Sequence, residues 1–255
     1  MWVTGLGCAN CTRGTPSFDN TTSSTFQAGL DPTHPVRVSI PYSYGPVAGN
    51  VIQDTVTMGS FRVQNQSWLL VDQVPTQLLD GSCSGTMGLA FDNIGWTGAT
   101  PFWQTLVDSG QLTTPEMSFW FTRLIDNQNA QEEEFGGVFT LGGRNETLYA
   151  GDVEFLPLVT NAGRKTYWLL DLSGVYLIRP RLALPHPSAS ITEITVDKKD
   201  IALLPGNVAA IVTGTTLIGG PRATISAIYA QIPNSQPLTG EFAGYYGFRM
   251  FVFLA

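Results

Sequence analysis

The residues best suited to chemistry in this sequence are three cysteines and two histidines. Cys8 and Cys11 have the C-x-x-C spacing, which serves zinc binding, redox chemistry or a small disulfide. Zinc needs four ligands, yet the chain adds only the isolated His34 and His186 and no second C-x-x-C. The Thr-Arg-Gly-Thr-Pro that follows Cys11 does not read as the helix that redox use requires. The pattern therefore favours a structural disulfide or two plain thiols, and it predicts neither a metal nor a cofactor.

The third cysteine, Cys83, lies in a G-x-C-x-G phrase, which is a cysteine version of the nucleophile elbow of hydrolases. That motif needs a strand before it, a helix after it and a histidine close by. The Thr-Met-Gly-Leu that follows Gly85 is not helix-like. We therefore interpret Cys83 as a small residue in a polar turn.

Four N-x-[ST] tripeptides are candidate glycosylation sites, and they begin at Asn10, Asn20, Asn65 and Asn145. Each can accept a glycan only if the chain enters the secretory pathway and the site is exposed. Chance is the alternative, since the chain is rich in threonine, but four together favour secretion. The residues after Met1 show no basic segment followed by an apolar one, so no signal peptide is predicted in this sequence.

Composition narrows the class of protein. The 255 residues are 43% hydrophobic but only 13% charged, with a net charge of −7. A chain so poor in Lys and Arg offers no surface that would release counterions from nucleic acid. Its apolar stretches stop well short of the roughly 20 residues that span a bilayer. We therefore expect a globular protein that binds neither nucleic acid nor membrane.

Short β-strands dominate the local pattern, with alternating or β-branched runs between Gly, Pro, Asn and Asp. The predicted strands are 36–40, 54–58, 67–71, 118–122, 138–141, 153–156 and 167–172. Two segments that begin with proline, 101–109 and 221–231, are predicted helices. The expected fold class is mostly β and largely antiparallel, of sandwich or barrel type. Residues 177–197 show neither the two-residue period of a strand nor the 3.6-residue period of a helix. A long loop or an atypical insert is therefore predicted there.

Several short phrases share their order and spacing with one protein family. They are Met1-Trp2-Val3, Ser23-Ser24-Thr25-Phe26, Tyr42 with Gly49 and Asp54-Thr55-Val56, Gly85-Thr86-Met87-Gly88-Leu89-Ala90, Gly142-Gly143, Tyr149-Ala150-Gly151, Leu156-Pro157-Leu158, Tyr167-Trp168, and Ala210-Ile211-Val212-Thr213-Gly214-Thr215-Thr216. Together they resemble the pepsin-like aspartic endopeptidases, most closely the secreted fungal members. The resemblance runs from Met1 to about residue 248.

The resemblance implies a bilobal β fold in which each lobe supplies one aspartate to a cleft. The two carboxylates share a proton, one activates water and the other hydrogen-bonds the scissile carbonyl of a peptide or protein substrate. Tyr42 would be the tyrosine of the flap, the hairpin that covers the cleft, with Tyr44 as the alternative. Thr213, Gly214 and Thr215 would line the cleft. A monomer without a cofactor, secreted or vacuolar and working at acidic pH, is expected.

Both catalytic positions depart from the family pattern. Val212 stands where the second aspartate is expected, and a one-residue deletion after Val212 gives the same outcome. The first Asp-Thr-Gly-Ser would lie before Met1. Five other aspartates are interpreted as capping or surface residues rather than substitutes: Asp54, Asp92, Asp108, Asp152 and Asp171. The expectation is therefore a chain that does not hydrolyse peptides.

The same comparison predicts an incomplete molecule. Residues 1–155 are expected to form an N-terminal lobe without its first strands, and residues 156–248 a partial C-terminal lobe with the insert at 177–197. Residues 249–255 are predicted to be a tail outside the family pattern. A fragmentary, incorrectly assembled coding sequence is the first explanation. The alternative is a true pseudoprotease that binds peptides or proteins, as inhibitor-like relatives do.

Overall fold

The computed structural model describes residues 1–11, 14–29, 35–42, 44–76, 78–79, 83–122, 124, 127–131, 134–171, 174–176, 193–196, 199–202, 208–215 and 219–247. The chain divides into two compact units, Met1–Glu154 and Phe155–Ala255. Of the predicted insert at 177–197, only residues 193–196 are described, and the predicted tail at 249–255 lies outside the described residues. The mostly β class expected from the sequence is confirmed.

The first unit is built around one five-stranded sheet. Its strands are β1 (Trp2–Ala9), β2 (Arg37–Tyr42), β3 (Gly45–Met58), β4 (Phe61–Gln73) and β5 (Gly85–Thr86). They lie in the order β2-β3-β4-β1-β5. β1 runs parallel to β4, and the other neighbours are antiparallel. The strand that follows the expected catalytic motif is therefore an inner strand of the sheet.

A helix and a second, two-stranded sheet complete the first unit. They are α1 (Phe102–Asp108), β6 (Met117–Phe121) and β7 (Gly137–Leu141), together with 3₁₀ helices at Asp92–Ile94 and Glu146–Leu148. α1 begins directly after Pro101, whose fixed φ suits the entry to a helix. Its Phe102 and Leu106 are fully buried and pack with Val63 of β4.

One buried apolar cluster of the first unit draws on β1, β3, β4 and the segment after β4. Within β4, Leu69 and Val71 are two residues apart and therefore face the same side of the sheet. The buried cluster consists of Trp2, Val47, Leu69, Val71, Val74 and Leu79. Burial of such side chains contributes about 1.5–3 kcal/mol each relative to exposure.

The described part of the second unit contains several small sheets, one α-helix and a short 3₁₀ helix. Its elements are β8 (Leu169–Asp171), β9 (Gly174–Tyr176), β10 (Glu193–Val196), β11 (Lys199–Ala202), β12 (Val208–Ala210), α2 (Arg222–Tyr229), a 3₁₀ helix at Gly240–Phe242, β13 (Gln236–Pro237) and β14 (Tyr246–Gly247). β10 lies between β9 and β11, and β8 pairs with β12. Val196 and Ile201 pack against Ala227 and Ile228 of α2.

One predicted strand is wrong, and others have different bounds. Residues 153–156 form no strand, and their apolar side chains are exposed because no neighbouring strand in the described part of the chain buries them. Pro157 follows directly and cannot donate to a ladder. The strand predicted at 167–172 is limited to Leu169–Asp171. Among the described residues, no helix is long and apolar enough to cross a membrane.

Two glycines allow the close strand packing beside β1 and β4. A methyl group on Gly85 would overlap the carbonyl oxygen of Trp2, and one on Gly49 would overlap the carbonyl oxygen of Leu70. Backbone atoms cannot yield in the way that the tip of a flexible side chain can. Glycine is therefore required at both positions by space.

We expect Gly85→Ala to lower the free energy of unfolding by about 2 kcal/mol or more, because β1 and β5 must separate. Gly7→Ala, in the neighbouring strand β1, has no described atom within 4 Å of the new methyl group and is the matched control. The free energy of unfolding of Gly7→Ala should differ from that of the unaltered chain by less than about 0.5 kcal/mol. Equal denaturation midpoints for the two variants would contradict the argument.

An exposed ion pair links β2 to β4 across β3. Arg37 donates two hydrogen bonds to Asp72, Nη1 to Oδ2 and Nη2 to Oδ1, both at 2.7 Å. These bonds, with the guanidinium charge, hold the pKa of Asp72 below its usual value. Both side chains remain about half exposed, so solvent screens the interaction.

This pair predicts a small dependence of stability on pH. A carboxylate with a lowered pKa in the folded state stabilises the fold above its unfolded pKa of about 3.9, and the contribution disappears as pH falls through the folded pKa. Asp72→Asn should therefore cost less than about 1 kcal/mol at pH 6, and this cost should shrink as pH falls toward 2. Arg37→Gln should behave in the same way, and the double variant should lose no more than either single variant. A loss as large at pH 2 as at pH 6 would contradict the assignment.

Candidate active site

The candidate site in the first unit starts from Trp2, the first residue of β1. Trp2 pairs with Leu69 of β4 on one side and with Thr86 of β5 on the other. Its side chain is buried in the core of the unit. Thr4, two residues on, is also fully buried, and its hydroxyl donates to the carbonyl oxygens of Pro16 and Ser84. Strand pairing and side-chain bonds therefore hold this segment on both sides.

The hairpin of β2 and β3 places Tyr42 against Trp2. Tyr42 is the last residue of β2 and pairs with Gly45, the first residue of β3. The indole Nε1 of Trp2 donates a hydrogen bond of 2.9 Å to the hydroxyl of Tyr42, and the two rings meet edge to face with centroids 6.3 Å apart. Tyr42 is 37% exposed, whereas Tyr44 at the tip is 70% exposed. The structure thus ties Tyr42, rather than Tyr44, to β1.

The base of the hairpin is fastened by a buried carboxylate. Asp54 of β3 accepts a hydrogen bond from the hydroxyl of Thr25 and another, of 2.7 Å, from the backbone N–H of Thr55. Gln27 adds backbone bonds to Gln53 of the same strand. The Ser-Ser-Thr-Phe phrase is therefore a turn held against β3, and Asp54 has a structural role.

The second candidate segment lies in the second unit, directly after β12. Ala210 of β12 pairs with Leu169 of β8. The N–H of Ile211 then donates a hydrogen bond of 3.0 Å to the carbonyl oxygen of Trp168. The chain leaves the strand at Val212, which is 48% exposed, and turns at Thr213 and Gly214. Thr213, Gly214 and Thr215 are all exposed. The hydrocarbon side chain of Val212 has neither a proton to share nor a lone pair to orient water.

Comparison with known proteins decides the family. A sequence profile described as "Eukaryotic aspartyl protease" matches residues 1–245. This chain belongs to that family. The resemblance drawn from the short phrases is confirmed.

Named relatives of the family align along almost the whole chain. "Major aspartyl peptidase 1" of Cryptococcus neoformans var. grubii is 34% identical over 98% of this chain and 47% of the relative. "Probable vacuolar protease A" of Trichophyton verrucosum is 27% identical over 95% of the chain and 52% of the relative. "Pepsin A" of Sus scrofa is 27% identical over 94% of the chain and 54% of the relative. The chain thus spans about half the length of these relatives.

The tripeptide Asp-Thr/Ser-Gly, the form of the expected catalytic motif, occurs once in the sequence, at Asp108, Ser109 and Gly110. The structure excludes it as a catalytic loop. Asp108 is the last residue of α1, Ser109 keeps helical angles, and Gly110 has a φ of 68° as the glycine that follows a helix often does. Asp108 is exposed at this helix end. The interpretation as a surface residue therefore holds although the spelling matches the motif.

The three other aspartates of the five considered as substitutes also lie outside any such loop. Asp92 begins a 3₁₀ helix, and its carbonyl oxygen accepts a bond from Gly95. Asp152 is exposed in irregular backbone and Asp171 is exposed at the end of β8. In the described part of the chain, no group of three His, Cys, Asp or Glu side chains could hold a metal ion.

The cysteines take structural positions. Cys8 and Cys11 are joined by a disulfide with a Cα–Cα distance of 5.7 Å, and Asn10 between them has a φ of 64°. Cys83 is a free, exposed thiol whose chain continues into the short strand β5 rather than into a helix. That geometry rules out the nucleophile elbow. His34 and His186 lie outside the described residues.

The four candidate glycosylation sites all belong to the first unit. Asn10 and Asn65 are exposed, and both have a positive φ. Oδ1 of Asn65 accepts a bond from Gln27. Asn20 is half-buried within a turn that Asp19 caps through Thr21. Asn145 is half-buried before the 3₁₀ helix Glu146–Leu148.

We expect Tyr42→Phe to lower the free energy of unfolding by about 1–2 kcal/mol, because it leaves the buried indole N–H of Trp2 without its acceptor. The ring contact is kept, so the loss reports the hydrogen bond alone. Tyr44→Phe removes an exposed hydroxyl and is the matched control, with no measurable change expected. Denaturant unfolding followed by the fluorescence of Trp2 and the other tryptophans measures both. A larger loss in Tyr44→Phe would contradict the assignment of Tyr42.

Proposed function

We propose that this chain derives from an aspartic endopeptidase that hydrolyses peptide bonds between bulky apolar residues at acidic pH. Membership of the eukaryotic aspartyl protease family supports the proposal. The contact of Trp2 with Tyr42 supports it within the structure, because it brings the candidate flap residue to the strand that follows the first catalytic motif. In such an enzyme one carboxylate activates water while its protonated partner polarises the scissile carbonyl.

Tyr42 is the residue that we propose for covering the substrate. Its hydroxyl is held by Trp2, while part of its ring remains open to solvent on a hairpin. A hairpin joined to the sheet at its base can bend at its tip, and closure over a peptide would exclude water from the reacting atoms. Thr213, Gly214 and Thr215 are the proposed substrate-binding residues on the other segment.

We further propose that the 255 residues as they stand do not hydrolyse peptides. The single observation behind this is Val212, an apolar residue at the position of the second aspartate, or beside its deletion. The dyad depends on two carboxylates that share one proton, and one carboxylate alone cannot hold a base and an acid together. Membership of the family supports the proposed fold, whereas Val212 argues against peptide hydrolysis.

The proposed setting is the secretory pathway of a fungus, with an extracellular or vacuolar destination and a monomeric protein. The Cys8–Cys11 disulfide suits an oxidising compartment. The four candidate glycosylation sites are exposed or half-buried, which agrees with passage through the secretory pathway. One relative is named as a probable vacuolar protease. The net charge of −7 argues against nucleic acid as a partner.

A pseudoprotease that binds peptides or proteins is the second candidate function. The observation in its favour is an ordered hairpin whose outer strand β2 is an edge of the sheet, beside two partly exposed tyrosines. An extended peptide can add to such an edge by backbone hydrogen bonds without any catalytic group. Binding without cleavage would distinguish this function from a fragment of a protease.

The decisive assay measures cleavage of denatured globin at acidic pH, with and without pepstatin, and uses pepsin as the positive control. The chain, Val212→Asp and a variant with Asp inserted after Val212 should all be inactive. The unaltered 255 residues contain no Asp-Thr-Gly, and each variant supplies only one of the two that the dyad needs. Retention on immobilised pepstatin without cleavage would support the pseudoprotease. Pepstatin-sensitive cleavage by the unaltered chain would overturn the proposed inactivity.

A further inference from the structure

A shallow cavity in the first unit is separate from the candidate active-site residues. It is lined in part by β6 and β7 and has a volume of about 160 Å³. Its lining is mainly apolar and includes Trp120, Leu148, Tyr149 and Val153. Polar lining residues are Ser118, Thr140, Arg144 and Asn145. An apolar surface accompanied by polar groups is one that a sugar ring fits, since a sugar has C–H faces and hydroxyl edges.

The size of the cavity limits what can occupy it. At about 30 Å³ for each water molecule, it holds the equivalent of about five waters. That is too little for a helix or strand of another protein, and it is comparable with a single sugar ring. The occupant must therefore be small or be the first ring of something larger.

One of the polar lining residues is a candidate point of attachment. Asn145 is both a lining residue and the first residue of the tripeptide Asn145-Glu146-Thr147. Its Oδ1 accepts hydrogen bonds from the N–H of Thr147 at 3.1 Å and from the hydroxyl of Thr147 at 2.7 Å. A glycan on Nδ2 leaves the carbonyl oxygen unchanged, so both bonds survive the modification.

We infer that Asn145 carries an N-linked glycan whose first sugar packs into this cavity against Trp120 and Tyr149. The inference rests on the proposed passage through the secretory pathway. In the transfer, Nδ2 attacks C1 of an oligosaccharide carried by a lipid pyrophosphate. The N–C1 bond forms, the C1–O bond to the pyrophosphate breaks, Nδ2 loses a proton, and the lipid pyrophosphate leaves.

The three other candidate sites lack this surface. Asn10, Asn20 and Asn65 do not line the cavity, so glycans on them would not cover Trp120. They serve as internal comparisons within one protein. Trp96, which is 61% exposed and also outside the cavity, is a reference for labelling, whereas Trp120 is 38% exposed.

The test expresses the full chain behind a secretion leader in a eukaryotic host, followed by glycopeptide mass spectrometry and hydroxyl-radical footprinting. A glycan is expected at Asn145 in the unaltered chain and in Thr147→Ser, and it should be lost in Asn145→Gln and Thr147→Ala. Labelling of Trp120 and Tyr149 should rise about twofold on that loss, because one of the two ring faces becomes uncovered. Labelling of Trp96 should not change, and Asn65→Gln should leave Trp120 protected.

A second measurement avoids variants altogether. Trimming the secreted chain with an endoglycosidase that leaves one N-acetylhexosamine should preserve the protection of Trp120, since the first ring makes the contact. An unmodified Asn145 overturns the inference, and so does a glycan at Asn145 whose removal leaves Trp120 labelling unchanged. The leader delivers the chain whatever its natural destination, so these results are independent of the globin assay and of where the native protein resides.

Discussion

The hydrogen bond from the buried indole of Trp2 to the hydroxyl of Tyr42 is the interaction on which the first unit depends. A buried N–H without an acceptor costs free energy, so the hydroxyl of Tyr42 stabilises Trp2 in the core. The contact joins an inner strand to the end of the outermost strand, 40 residues along the chain. It thereby couples the position of the hairpin to the position of β1.

The sheet around this contact tolerates little variation because its strands approach one another at glycines. Gly85 permits β5 to lie against the backbone of Trp2, and Gly49 permits β3 to lie against the backbone of Leu70 in β4. The buried Asp54 and its bond from Thr25 then fasten the hairpin at its base. These are constraints of space and of hydrogen bonding, and none of them involves a catalytic group. A chain can therefore keep the scaffold of the family while position 212 holds a valine.

Fold and chemistry separate clearly in this protein. The turn after β12 contains Thr213 and Gly214, yet Val212 is an exposed apolar side chain where the family resemblance predicts a carboxylate. Conversely, Asp108, Ser109 and Gly110 have the spelling of the motif and lie at the end of a helix. A short motif has its chemical meaning only in its backbone context, because the same three residues serve a catalytic turn or a helix end equally well.

The sequence by itself determined the family, the mostly β class and the helices after Pro101 and Pro221, since these depend on local spacing and on the fixed φ of proline. It predicted a strand at 153–156 wrongly, because alternation cannot reveal whether a neighbouring strand exists to pair with it. It left Tyr42 and Tyr44 open, and it left the C-x-x-C pair as a disulfide or two thiols. Only the tertiary structure decided that Tyr42 meets Trp2, that Cys8 is joined to Cys11, and that Asn145 borders an apolar cavity. Contacts across tens of residues arise from strand order and register, which local patterns do not encode.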